Sequence, residues 1–165
     1  MANVNAPFGF RPTMRTISGA SGRMVSAHKI ATYATALYLN DAVTHAASGT
    51  QNTPCIDSNI TPGTTPVMGV NLIYGAASTA TNHTIVLAGG GALFLTQGDG
   101  TGATFLIASQ LSKNANMAIL AGLPTLKVSK SSLSETSLAN TNTLDLHVHK
   151  LFERCSSLSR IYVRL

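Results

Sequence analysis

The residues best equipped for chemistry are His147 and His149, in the stretch TLDLHVHKLF (143–152). In an extended strand, residues two apart share a face, so both imidazoles and the Asp145 carboxylate could meet one side of a metal ion. A metal site also needs a third or fourth ligand and groups that orient them. His45 and His83 are further candidates by residue type alone. A solvated strand face is the simpler use of these side chains, so no metal ligand is assigned. Asp99, in GDGTG (98–102), lacks the alternating acids and the closing Glu of a calcium loop, and the stretch reads as a turn. GGG (89–91) lacks the Lys and Ser/Thr of a phosphate cradle, and no Lys lies between residues 30 and 112. Serines are plentiful, but there is no GxSxG elbow, and six acids leave few for a carboxylate pair. Cys55 and Cys155 are too few for a disulfide framework and match no zinc pattern. These residues point to no enzyme and no cofactor.

The elements that would position any site read as strands. TMRTIS, GRMVSAHKI and ALYLNDAVTHAA (36–47) carry β-branched or alternating residues, with a turn or bulge expected at Asn40-Asp41. A long polar loop with three prolines follows, then strand patterns at 66–75, 82–88 and 92–97, parted by Gly-rich turns. LIASQLSKNANMAILAGL (106–123) reads as a short helix or turn, with Leu111, Ala115 and Ala118 able to line one helical face. TLKVSK resumes as strand, SSLSETSLANTNT reads as a polar linker or exposed loop, and 143–152 and SRIYVRL alternate cleanly. The closing strand is expected to pair with an early one. Short strands with Gly-rich turns predict an all-β fold, a single β-barrel or β-sandwich-like domain over residues 13–165.

Charged residues make up only 10% of the chain, well under the usual share of about 25%, which suits a surface packed against neighbours. The net charge of +5 is uneven. Residues 1–30 hold Arg11, Arg15, Arg23 and Lys29 and no acid; residues 31–112 hold only Asp41, Asp57 and Asp99; residues 113–165 hold seven Lys/Arg against three acids. Basic ends admit nucleic acid as a partner. The bases are scattered singly, however, and no aromatic interleaves with them as a stacking platform would need. An acidic protein surface is the better match. No apolar run approaches 18 residues and the start lacks a signal peptide's apolar core, so a soluble protein made in the cytoplasm, with no membrane partner, is expected.

MANVNAPFGFRP opens the chain. Pro7 and Pro12 hold it extended. Phe8 and Phe10, two apart, would then point the same way, making residues 1–12 a stiff arm with two ring anchors. The binding residues expected on a partner are Pro7, Phe8, Phe10, Arg11, Pro12 and Arg15. The competing use of the rings is burial in this chain's own core.

That opening resembles the start of a family of tailed-bacteriophage capsid decoration, or cement, proteins, which begin Met-Ala-Asn, two variable residues, then Ala-Pro-Phe-Gly and a nearby Arg-Pro. ALYLNDAV, VMGVNLIYG and SRIYVRL are similar to that family's strands in the same order, and LSKNANMAI to its Asn-Ala segment. The family's loops are often acidic, whereas these are neutral. The resemblance implies an all-β body, commonly a homotrimer, on the outside of an icosahedral head, with arms reaching over the major capsid protein. It implies a virion location after synthesis in the host cytoplasm. A nucleic-acid-binding β-barrel using the basic ends, and a head–tail or tail component, are the alternatives.

Overall fold

The computed structural model describes residues 7–19, 21–46, 54–100, 108–141, 143–154 and 159–165. They form an all-β fold of strands β1 (Arg11–Thr16), β2 (Met24–Lys29), β3 (Ala42–His45), β4 (Ile56–Asp57), β5 (Gly69–Asn71), β6 (Thr81–Leu87), β7 (Ala92–Gln97), β8 (Asn114–Ala115), β9 (Met117–Ala118), β10 (Ser132–Leu133), β11 (Leu146–Arg154) and β12 (Ser159–Arg164). Two five-stranded antiparallel sheets are ordered β1-β7-β12-β11-β8 and β2-β6-β5-β3-β4, and β9 and β10 form a separate two-stranded pair.

The strand pleat explains the layering. Ala92, Phe94, Val148, Ile161 and Val163 from the first sheet meet Ala42, Val70 and Val86 from the second in one buried cluster, so the sheets form a sandwich. The next residues along the same strands of the second sheet, Val43 and Ile85, turn the other way into a second cluster with Ala27, Leu37 and Ile56. The second sheet is therefore covered on both faces. Among the described residues the first has only one face against the core; on the other, Leu95 and Tyr162 are half-buried and Arg164 is exposed.

Beside that apolar cluster, the second sheet's outer cover holds buried polar groups. Lys29, 0% exposed, sends Nζ to the carbonyls of Ala76 (2.9 Å), Tyr33 (3.2 Å) and Thr79 (3.2 Å). His83 lies beside it, with Nδ1 2.8 Å from Asn71 Oδ1. The Asn71 amide donates in turn to the carbonyls of Tyr38 and Ile73. Burial lowers the pKa of both Lys29 and His83.

Several sequence expectations need correction. Within the expected 36–47 stretch, of which residue 47 lies outside the described residues, Ala42–His45 is strand, and Asn40, at φ +68°, makes the expected turn. Ile56–Asp57, inside the expected loop, pairs with β3. Ala115 does not sit on a helical face: 108–110 is a single 3-10 turn, and β8 and β9 follow. TLKVSK is mostly turn, with Val128 alone bridging Leu39 and Leu123. The expected linker at 131–143 holds β10 and a 3-10 turn, with Ser131, Ser132, Leu133 and Glu135 buried. The closing strand pairs with β7 and β11 rather than with an early strand.

Candidate functional site

The N-terminal segment is built into the body from Phe8 onward. Gly9 adopts φ +77°, which a side chain strongly disfavours, and a Cβ there would lie 2.4 Å from the Asn40 carbonyl oxygen. That close approach lets the Phe10 amide donate to Asn40 O (2.9 Å) while Asn40 Nδ2 donates to Phe8 O (3.0 Å). The left-handed residue breaks the extended path, so the two rings part. Phe10, 0% exposed, joins the interlayer core. Phe8 stays half-buried and lines a groove of about 600 Å3 with Arg11, Pro12, Leu39, Leu72 and Leu95. The expectation of a twelve-residue arm carrying both rings is thus corrected at Phe10, which no partner can reach, and at Arg11 and Pro12, which belong to β1. Residues 1–6 lie outside the described residues. Pro7 is half-buried, and Arg11 and Arg15 are exposed.

β1 is an edge strand, which suits Pro12, a residue without an amide donor. It pairs with β7, placing Arg11 opposite Leu95; β12 pairs on the other side of β7, placing Tyr162 opposite the same Leu95. Arg11, Leu95 and Tyr162 line a second hollow of about 310 Å3 that shares its wall with the groove. Farther across, Arg164 stands opposite His147. His149 and Lys150 are both exposed where the β11 register shifts. The two basic ends of the chain therefore converge on one sheet. β1, β7, β11 and β12 together contain Arg11, Arg15, Lys150, Arg154, Arg160 and Arg164 against the single acid Glu153. Six bases minus one acid equals the net +5 of the whole chain, so the excess charge is carried by these four strands.

The arrangement makes an open face with an apolar centre, Leu95 and the Tyr162 ring, inside a basic surround. Such a face can hold a surface that is negative at its rim and apolar in the middle. His147 adds no charge at neutral pH. Partial burial, and then the positive charge of Arg164 and His149, lower its pKa, and its Nδ1 lies 2.9 Å from Asn114 Oδ1.

The centre of this face departs from the expectation that no aromatic interleaves with the bases. Tyr162 does interleave with bases: Arg160 and Arg164 flank it two residues away on either side, and the SRIYVRL alternation carried that signal. Leu95 had no signal of its own, because its role comes from its two neighbouring strands. The metal candidates do not converge. Asp145 precedes β11 and accepts hydrogen bonds from the amides of Gly63 (2.9 Å) and Met117 (3.3 Å). Among the described residues, no three of His, Cys, Asp and Glu come together as metal ligands would. Cys55 is buried, and Cys155 lies outside the described residues. No helix among the described residues is long and apolar enough to cross a membrane.

No family model, curated protein or solved structure matches the chain.

Proposed function

We propose that this chain is a virion structural protein that decorates and stabilises an icosahedral phage head, docking its basic sheet face on the outer surface of the major capsid protein lattice. The observation that carries the reading is that Arg11, Lys150 and Arg164, exposed residues from both basic ends, stand around Leu95 and Tyr162 on a sheet face that the described residues leave uncovered. The resemblance of MANVNAPFGFRP to the opening of cement proteins and the sparsely charged remainder of the chain support it. Charge aligns the approach, and the apolar centre supplies the adhesion, at about 25 cal/mol per Å2 of apolar area buried. Each contact can be weak. Repeated around a closed shell, in the homotrimeric form that the resemblance implies, such contacts resist expansion of the head by multivalency. No reaction is part of this role.

The same face favours a second reading, a binder of single-stranded nucleic acid, because the Tyr162 ring with exposed Arg164 on an open sheet can stack a base. Co-sedimentation separates the two. The purified chain is mixed with undecorated shells of the phage that encodes it and, separately, titrated with single-stranded DNA over a range of salt. Docking on the lattice predicts saturable binding to shells, weakened about tenfold or more by the double reversal Arg11→Glu, Arg164→Glu, since like charges then face the acidic surface. Full coating of shells by the reversed variant overturns the docking face. Failure of the unmodified chain to bind shells, together with DNA binding that falls steeply with salt, replaces it with the second reading.

A further inference from the structure

A separate cavity of about 530 Å3 lies beside the second sheet, lined by Tyr33, Tyr38, Asp41, Ser58, Leu120 and Ser131, among others. Its size is that of a small-ligand pocket. Asp41 is 7% exposed at its wall. The Asp41 carboxylate accepts the Tyr38 amide at Oδ2 (2.7 Å) and the Ser129 hydroxyl. Burial raises its pKa to about 6; those two hydrogen bonds oppose the rise, and no cation contributes. Residues 31–112 supply neither Lys nor Arg, so this stretch of chain brings none to its own carboxylate. A buried anion is normally paired, and among the described residues this one is paired only with neutral donors.

The rest of the lining completes a receptor shape. The Tyr33 hydroxyl is 2.9 Å from Ser58 Oγ and accepts the Ser58 amide (3.0 Å), so that wall is already fixed. Tyr38 is packed so closely by Gly122 that a Cβ there would lie 2.3 Å from the ring. At the rim Leu120 is 51% exposed, an apolar side chain held out at the mouth. The Ser58 and Ser131 hydroxyls can accept hydrogen bonds from a donor-rich group. The molecule shows elsewhere how it holds such a group: the Lys29 ammonium sits among three carbonyls, 5.4 Å from the centre of the Tyr33 ring.

We propose that this cavity binds an alkylammonium group, with the cation against the Asp41 carboxylate and the apolar stem against Leu120. The group has two possible sources: a lysine side chain presented by a partner chain, or a free small amine. The proposal stands independently of the capsid reading, because it concerns the opposite sheet and no residue of the basic face.

The test is a titration of the full chain with n-pentylamine, followed by amide shifts of Leu120, Gly122 and Ser131 in NMR. n-Pentanol serves as the uncharged match, and an acetylated, amidated Ala-Lys-Ala peptide as the lysine source. Pentylamine is expected to bind about tenfold or more tightly than pentanol, because a charge-assisted hydrogen bond exceeds a neutral one by that order. Asp41→Asn, which keeps an acceptor for the Tyr38 amide, is expected to remove the preference. A second measurement needs no variant: amine binding to the unmodified chain should weaken as pH falls through about 6, where the carboxylate takes a proton. The other ionisable groups lining the cavity are the phenols of Tyr33 and Tyr38, and Lys127 lies beyond them, 5.0 Å from the centre of the Tyr74 ring. Tighter binding of the peptide than of pentylamine identifies a partner's lysine as the source; the reverse identifies a free amine. Equal binding of pentylamine and pentanol, or an amine affinity that is flat across that pH range, overturns the proposal.

Discussion

The two sheets treat the same residue type in opposite ways. Lys29, on the sheet covered on both sides, is fully buried and spends its three donors on carbonyls of its own chain. Lys150, on the sheet with an open face, is exposed opposite Tyr162 and next to His149. Burial strips water from a charge, and only internal acceptors can then replace it, so Lys29 is committed to holding loops 30–33 and 76–79 together. Lys150 keeps its hydration and its freedom, as the proposed docking role requires. Charge content alone says nothing about which lysine is which; coverage of the sheet decides it.

The strongest way to break this contrast uses two rings only two residues apart. Phe10 fills the layer between the sheets, while Phe8 borders the open groove. Phe10→Ala is expected to cost about 3–5 kcal/mol of unfolding free energy, the cost of a large cavity in a packed core. Phe8→Ala should cost much less and should act mainly on docking to shells. Chemical denaturation of both variants, alongside co-sedimentation, checks this. Similar losses of stability for the two would place both rings in the core and remove Phe8 from the candidate face.

How far the sequence shows this follows from the range of the interactions. Alternation within a strand is local, so β6, β7 and β12 can be read from TNHTIVL, ALFLTQ and SRIYVR. The Asn40 turn and the Gly89–Gly91 turn, with φ of +94°, +58° and +77°, are equally local. The two-residue strands are not. β8 exists because Asn114 and Ala115 pair with His147 and Leu146, and β10 because Ser132 and Leu133 pair with Ala118 and Met117; no short window contains both partners. Phe10 turns inward because Gly9 meets Asn40 about thirty residues away. The candidate face has the same character. Arg11 and Arg164 are visible as basic ends, but their shared sheet depends on β7 lying between β1 and β12, which no composition argument reaches.

A direct comparison of the two lysines comes next in size. Lys29→Met keeps most of the side-chain volume and leaves the carbonyls of Tyr33, Ala76 and Thr79 without their donor. Since hydrogen bonds to a charged group contribute about 1.5–3 kcal/mol and buried orphan acceptors add to the loss, about 2–4 kcal/mol is expected. Lys150→Met, at an exposed position, should stay within about 0.5 kcal/mol. Equal thermal shifts for the two would mean that the covered sheet does not depend on its caged ammonium.

The smallest expected effect comes from acid, because two buried groups of the covered region pull in opposite directions. His83 has its pKa lowered, first by burial and then by the nearby positive charge of Lys29 and His28, with an opposing contribution from the Ile73 backbone. The unfolded chain therefore takes up that proton first: the stability His83 lends is fully present above about pH 6.5 and is lost as pH falls below it. Asp41 has its pKa raised from 3.8 to about 6. Here the folded chain takes up the proton first, so the Asp41 contribution grows as pH falls through about 6 and is complete below the unfolded value. Between about pH 7 and about pH 5 the two groups act with opposite sign, Asp41 by on the order of 1 kcal/mol, so the change in Tm of the unmodified chain should lie between those of the two single variants. The variants separate the two contributions. Asp41→Asn removes the compensating rise, so the melting temperature should drop more steeply on acidification than in the parent. His83→Gln removes the main loss, leaving the partial opposition of His147, and its Tm should hold level or rise over the same range. Parallel pH profiles for all three proteins would show that neither buried group changes its proton affinity on folding, and the covered sheet would then owe its stability to packing rather than to the charges it encloses.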